Sequence, residues 1–119
     1  MSSLTSGDLT ASLCYTEPGA GSDMNSIEAL AKFDPDTETY DLKGLNIWVP
    51  TANKADLFVV LAKTLSKNYM GESEMSLTAF LVDRNEGGVS VSSEAPVTAF
   101  SGVGFGQVEF NCKGESVLY

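Results

Sequence analysis

The stretch ADLFVVLAKT, residues 55–64, decides how this chain folds. Its centre is apolar without a break, which suits either a buried helix or a strand covered on both sides. Length and composition separate the two. Ten residues are few for a core helix, and the adjacent Val59 and Val60 prefer extended backbone because branching at Cβ restricts their rotamers in a helix. The stretch is therefore expected to be a strand buried on both faces.

Working outward, the neighbouring runs are also short and bounded by turn residues. They are LTASLCYT (9–16), SIEALAKF (26–33), TYDLKGLNIWV (39–49), SLTAFLVD (76–83), GVSVSS (88–93) and FGQVEFN (105–111). Several alternate, as Val108 and Phe110 do against Gln107 and Glu109, so one face of each is apolar. The connecting DPDTET, KNYMGESE and RNEGG are acidic or glycine-bearing and suit hairpins or wider loops. The pattern predicts a single all-β domain over residues 1–119, with about seven or eight strands in two packed sheets forming a sandwich or partly open barrel. The segment SDMNSIEALAKF has a second reading, a short helix begun at 22–28 with Ser22 or Asp23 as its cap.

Composition narrows the partners. Seven basic residues against sixteen acidic ones give a net charge of −9, so the long-range field repels nucleic acid and anionic lipid. The same field opposes a dinucleotide unless backbone N–H groups or another domain supply positive charge. No apolar run approaches the roughly 20 residues of a membrane helix. Cys14 and Cys112 lie far apart without CxxC spacing, and the chain has no histidine, so no metal site is expected. Two thiols are expected rather than a disulfide. The N-terminal MSSLTSGD has neither the charged nor the apolar region of a signal peptide.

The loop CYTEPGAGSD, residues 14–23, stands out from the strands around it. Pro18 fixes φ, while Gly19 and Gly21 let the backbone bend and come close to a ligand. Glu17 and Asp23 are expected to tie the loop by accepting backbone or hydroxyl hydrogen bonds rather than to transfer protons.

TEPGAGSD (16–23), LKGLNIWVPTANKADLFVVLAKT (42–64) and LTAFLVDRNEGGV (77–89), in that order and spacing, resemble the middle β-domain of acyl-CoA dehydrogenases. The segment TAFLVDRNEGG and the loop after AKT look closest to the long-chain and very-long-chain group. The resemblance implies FAD as cofactor. It also implies α,β-dehydrogenation of a fatty acyl-CoA thioester, reoxidation by an electron-transfer flavoprotein, a mitochondrial setting and a homo-oligomeric full-length parent. Carried onto this chain, Leu13, Cys14, Tyr15, Thr16, Glu17, Pro18, Gly19, Ala20, Gly21 and Ser22 form the flavin-contacting segment. Thr16 meets the ring edge, and Ser22 also touches the acyl-CoA. Trp48, Val49 and Pro50 form a second flavin-contacting segment. Such family members resemble one another in carrying helical N- and C-terminal domains, the latter with the catalytic base, so no catalytic residue is expected here and this β-domain alone should be inactive.

Two positions depart from the family pattern. Pro50 stands where a hydroxyl residue usually follows the tryptophan pair, and TAN replaces an asparagine and glycine, although Thr51 could substitute if the turn shifts. Ser101 lacks the basic neighbour common before the last strands. These departures keep a second reading open, a paralogue that retains the fold but serves as scaffold or assembly partner. A third reading, an unrelated β-sandwich interaction module, makes TEPGAGSD a coincidence.

Overall fold

The computed structural model describes residues 2–92 and 95–116. A one-turn helix, α1 (Ser2–Ser6), precedes seven strands: β1 (Ala11–Cys14), β2 (Leu30–Asp34), β3 (Thr39–Pro50), β4 (Leu57–Lys67), β5 (Ser73–Asp83), β6 (Val89–Val91) and β7 (Phe105–Ser116). A 3-10 turn at Met24–Ser26 lies between β1 and β2.

The stretch 55–64 is the central strand. β4 pairs antiparallel with β5 from Leu57 opposite Asp83 to Lys67 opposite Ser73. Along its other edge two strands lie parallel to it in succession, β1 beside Leu57 to Val60 and β2 beside Lys63 and Thr64. From β2 the sheet continues antiparallel to β3 and then β7, which carries the short β6 on its flank. β7 meets β5 again at Phe80 and Leu81, so a single seven-stranded sheet curls back toward its start. Of the two forms expected, the partly open barrel is the one observed.

The barrel interior follows from alternation. Phe58, Val60 and Ala62 of β4 point inward with Phe80 and Val82 of β5, Leu42 of β3, and Val108 and Phe110 of β7, all buried. Phe58 and Phe110 meet edge to face at 5.8 Å, the arrangement aromatic quadrupoles favour. Gly88 marks where β6 is drawn against β7: its φ is +95°, and a Cβ there would lie 1.9 Å from the Asn111 carbonyl oxygen.

Several expectations need correction. β4 is not buried on both faces. Its inner row is covered while Leu57, Val59, Leu61 and Lys63 are only half-buried. Ser26 does not begin a strand; Asp23 caps the 3-10 turn, accepting from Asn25 N at 3.1 Å and Ser26 Oγ at 2.6 Å, and β2 starts at Leu30. KNYMGESE takes the hairpin form of the two expected, and the strands on either side run further than the sequence runs ending at 64 and starting at 76, since the ladder reaches Lys67 opposite Ser73. α1 carries no apolar periodicity and is held locally, with Thr5 Oγ1 donating to the Ser2 carbonyl and Leu9 N to that of Ser3. The expected strand 88–93 ends on Ser93, which lies outside the described residues.

Candidate functional site

β1 delivers the chain to the loop with alternating exposure. Leu13 is 45% exposed, Cys14 is buried and Tyr15 is 39% exposed, so Leu13 and Tyr15 share the outer face. The loop then closes on itself. Glu17 N donates to the Ala20 carbonyl at 2.9 Å and Ala20 N returns a bond to that of Glu17 at 3.1 Å, leaving Pro18 and Gly19 as the two central residues of a tight turn. The Glu17 carboxylate turns inward, where it accepts from Glu28 N at 2.7 Å and Ala29 N at 2.9 Å. These bonds anchor the loop to the approach to β2. Hydrogen bonds from the Ser26 hydroxyl and Asn25 N hold the Asp23 carboxyl below its ordinary pKa. Both carboxylates of the motif are thus occupied with the fold.

The second segment arrives from β3. Its ladder with β7 is interrupted between Asn46 and Val49, and Trp48 sits in that irregularity at φ +54°. Three residues on, Thr51 adopts φ +51°. Bulky and β-branched side chains seldom occupy this left-handed region, and such strain concentrates at binding sites. The kink turns Trp48 outward, 49% exposed, and buries Val49.

Thr16 joins the two segments. Its carbonyl accepts from Ile47 N at 2.8 Å and from the buried Asn46 Nδ2 at 3.2 Å, although thirty positions separate the partners in sequence. The Ser12 hydroxyl adds a bond to the Pro50 carbonyl. The turn after Pro50 is fixed from three sides. Thr51 N donates to the Gly104 carbonyl at 2.7 Å, Lys54 N and Ala55 N donate to the Thr51 carbonyl, and Arg84 Nη1 reaches the carbonyls of Ala52 and Ala55 at 2.6 and 3.0 Å. Through Gly104 the loop bearing Ser101 comes beside the Thr51 turn.

The sequence-predicted residues therefore meet, but not all present side chains. Leu13, Tyr15, Pro18, Gly19, Gly21, Ser22 and Trp48 are exposed, Thr16 and Pro50 are half-buried, and Cys14, Glu17, Ala20 and Val49 are withdrawn, leaving those four only backbone atoms to offer. The hydroxyls of Thr16 and Ser22 form no hydrogen bond among the described residues. Gly19 and Gly21 correct an expectation: neither has a left-handed φ, and a Cβ at either would meet no atom of the chain. What their lack of a side chain provides is open space in front of the loop. A groove of about 360 Å³ beside the turn is lined by Pro18, Gly19, Ala29 and Leu45, and neither Trp48 nor Ser22 borders it.

Sequence reasoning missed Asn46, Ser12 and Arg84. Arg84 is the only arginine, which was a signal; Asn46 had none, because its role depends on a register visible only in three dimensions. Its Oδ1 is the one buried side-chain polar atom without a hydrogen-bond partner among the described residues.

Residues 12–112 match the acyl-CoA dehydrogenase middle domain, and the chain belongs to that family. The very long-chain specific acyl-CoA dehydrogenase of Bos taurus is 41% identical over 88 residues, 73% of this chain and 13% of that protein. The L-prolyl-[peptidyl-carrier protein] dehydrogenase of a Serratia strain is 32% identical over 111 residues, 93% of this chain and 27% of that one. Among solved structures, an acyl-CoA dehydrogenase complexed with FAD from Bacillus anthracis superposes with a TM-score of 0.81 at 27% identity, over 97% of this chain and 19% of its own. The FAD complex of PigA gives 0.79 at 30%, over 96% and 28%. The chain thus spans about an eighth to a quarter of the relatives it matches.

Proposed function

We propose that this chain is the flavin- and thioester-facing β-domain of an FAD-dependent acyl-CoA dehydrogenase acting on fatty acyl-CoA in β-oxidation. The observation that carries the reading is the pair of bonds from Ile47 and Asn46 to the Thr16 carbonyl, which makes one wall of two motifs distant in sequence. The chain's residues suit a planar ring with a polar edge. Trp48, Leu13 and Tyr15 offer exposed apolar surface, Thr16 and Ser22 offer uncommitted hydroxyls, and the inward turn of Glu17 removes a carboxylate that would repel a ring gaining negative charge. When bound, FAD supplies the acceptor for the electron pair and hydrogen leaving the substrate β-carbon. Donors fixed in advance at the ring edge stabilise the charge that develops there, at no cost of reorganisation. Ser22 and the open space before Gly19 and Gly21 fit passage of a thioester arm. The α-proton goes to a carboxylate outside these residues. The remaining assignments, electron-transfer flavoprotein as reoxidant, a mitochondrial location and a homo-oligomeric parent, rest on the very long-chain relatives and on family resemblance, whereas one bacterial relative is named for a carrier-bound prolyl group.

A scaffold paralogue is favoured by one specific feature. Pro50 has neither N–H nor hydroxyl, and the neighbouring Thr51 N–H is already given to Gly104, leaving only the Thr51 hydroxyl. The visible spectrum of a purified polypeptide that joins this chain to the helical domains proposed for it separates the readings. Bound oxidised flavin that bleaches on addition of a fatty acyl-CoA supports the dehydrogenase. A colourless protein that stays flavin-free after reconstitution overturns it in favour of the scaffold.

A further inference from the structure

Alternation along β3 asks for an apolar side chain at position 46. Leu42 and Asn46 lie on its inner row, Asn46 stands opposite Val108 of β7, and all three are completely buried. An amide in such a place is destabilising unless its polar atoms are paired. Buried polar groups nearby meet that condition: the Ser12 hydroxyl bonds the Pro50 carbonyl, and both oxygens of Glu17 accept from backbone N–H groups. Asn46 meets only half of it. Its Nδ2 donates to the Thr16 carbonyl at 3.2 Å, which sets which way round the amide lies, while its Oδ1 has no partner among the described residues. The Thr16 carbonyl does not need Asn46 either, because Ile47 N already donates to it at 2.8 Å. Satisfying the backbone therefore does not account for an asparagine here, and an apolar interior gives no reason for one.

What the second donor adds is direction. A carbonyl held by one donor can rock about the line of that bond, whereas a main-chain N–H and a side-chain amide together fix the plane of its peptide. The opposite end of the same peptide is also held, since Glu17 N donates to the Ala20 carbonyl at 2.9 Å. Because the peptide is planar, holding both ends fixes ψ of Thr16 and with it the direction in which the Thr16 side chain leaves the backbone. Asn46 is also the last residue of β3 in regular register with β7 before the interruption that contains Trp48. One buried side chain thus stands where the two wall segments join. We propose that Asn46 is a positioning residue for the flavin wall: through the Thr16 carbonyl it aims the Thr16 hydroxyl, and the chain carries it at some loss of stability. This inference rests on the flavin reading and adds to it the residue that sets how firmly the hydroxyl is held. A donor fixed beforehand need not be ordered when the ring binds. An unpaired buried acceptor retained for such a purpose is the usual exchange of stability for function.

Two apolar substitutions test it. Asn46→Leu matches the branching of the amide, and the smaller Asn46→Val guards against overpacking; each removes both polar atoms and leaves the Thr16 carbonyl its bond from Ile47. At least one of the two should have a thermal midpoint unchanged or raised by up to about 5 °C. In the same variant, FAD binding to the labelled chain, followed by amide NMR, should weaken at least about fivefold. Thr16→Val should weaken FAD binding to a similar degree, and adding the Asn46 substitution to it should cause no further loss, because Asn46 acts through that hydroxyl. A role confined to holding the fold predicts the opposite: lower midpoints, or failure to fold, in both variants. That result, an unchanged FAD affinity, or losses that add in the double variant overturns the proposal. If the unsubstituted chain binds no FAD at millimolar concentration, the flavin reading itself fails, and the positioning of Thr16 is then decided in the chain alone. The Thr16 Cβ resonance and the hydrogen-exchange protection of Glu17 N–H should both change in the Asn46 variants, and values identical to those of the unsubstituted chain overturn the assignment.

Discussion

Glu17 and Ser22 lie in one motif and contribute through opposite links. Glu17 is buried and its two oxygens satisfy two backbone N–H groups, whereas Ser22 is exposed and unbonded. Glu17→Gln replaces one acceptor with an amide NH₂ that faces an N–H, so it should destabilise the chain by about 1–3 kcal/mol. Ser22→Ala should change stability by less than about 0.5 kcal/mol. Urea unfolding measures both, and equal midpoints would show that Glu17 does not anchor the loop. The thiols give a second residue-scale test. Burial pushes the Cys14 thiol up to about 12, and burial followed by the charge of Glu86 pushes Cys112 up to about 11. Both cysteines are free, and neither should react with a thiol reagent at pH 8 in the folded chain, whereas both should react after denaturation. Rapid native labelling of either would contradict the packing described.

Between elements, the β2–β3–β7 ladder carries the clearest pH dependence. Lys113 of β7 reaches Asp34 of β2 at 2.9 Å and Asp41 of β3 at 2.7 Å. The Lys113 hydrogen bond, then the Asp36 N–H and Thr37 hydroxyl, hold the Asp34 carboxyl down at about 2. A carboxyl whose pKa is lower in the folded chain than in the unfolded one adds stability above the unfolded value, near 4, and loses it as the pH falls toward 2. Asp34→Asn should therefore flatten the acid-induced loss of stability over that window, as followed by urea unfolding at successive pH values; an unaltered slope would remove Asp34 from the account. These strands were legible because alternation and turn chemistry are local signals. The kink at Trp48 was not, since nothing in NIWVPT announces left-handed backbone at Trp48 and Thr51; register with β7 and the bonds from Ile47 to Thr16 and from Thr51 to Gly104 accompany it. The far end of the β4–β5 hairpin was hidden for a related reason: Ser, Lys and Glu from 66 to 74 look like loop residues, but a long ladder overrides their weak strand preference.

At the scale of the whole molecule, the proposed reading gives the chain one wall of a flavin site rather than the whole enclosure. Its −9 charge disfavours the phosphates of a dinucleotide. A handful of hydrogen bonds, each worth about 1 kcal/mol net, offset little more than the freedom lost on binding. The family resemblance was legible across the three quoted segments, and the match over residues 12–112 establishes it. What the sequence left hidden is which motif residues face outward, because the inward turn of Glu17, the closure of the loop at Ala20 and the kink that buries Val49 depend on contacts with segments distant in sequence. The most direct test of the central claim is an amide NMR titration of the labelled chain with FAD. The account predicts progressive shifts at Tyr15, Thr16, Gly19 to Ser22 and the Trp48 indole N–H, with a Kd weaker than about 10 μM. Shifts confined to other surfaces, no shifts at millimolar FAD, or submicromolar affinity would contradict it.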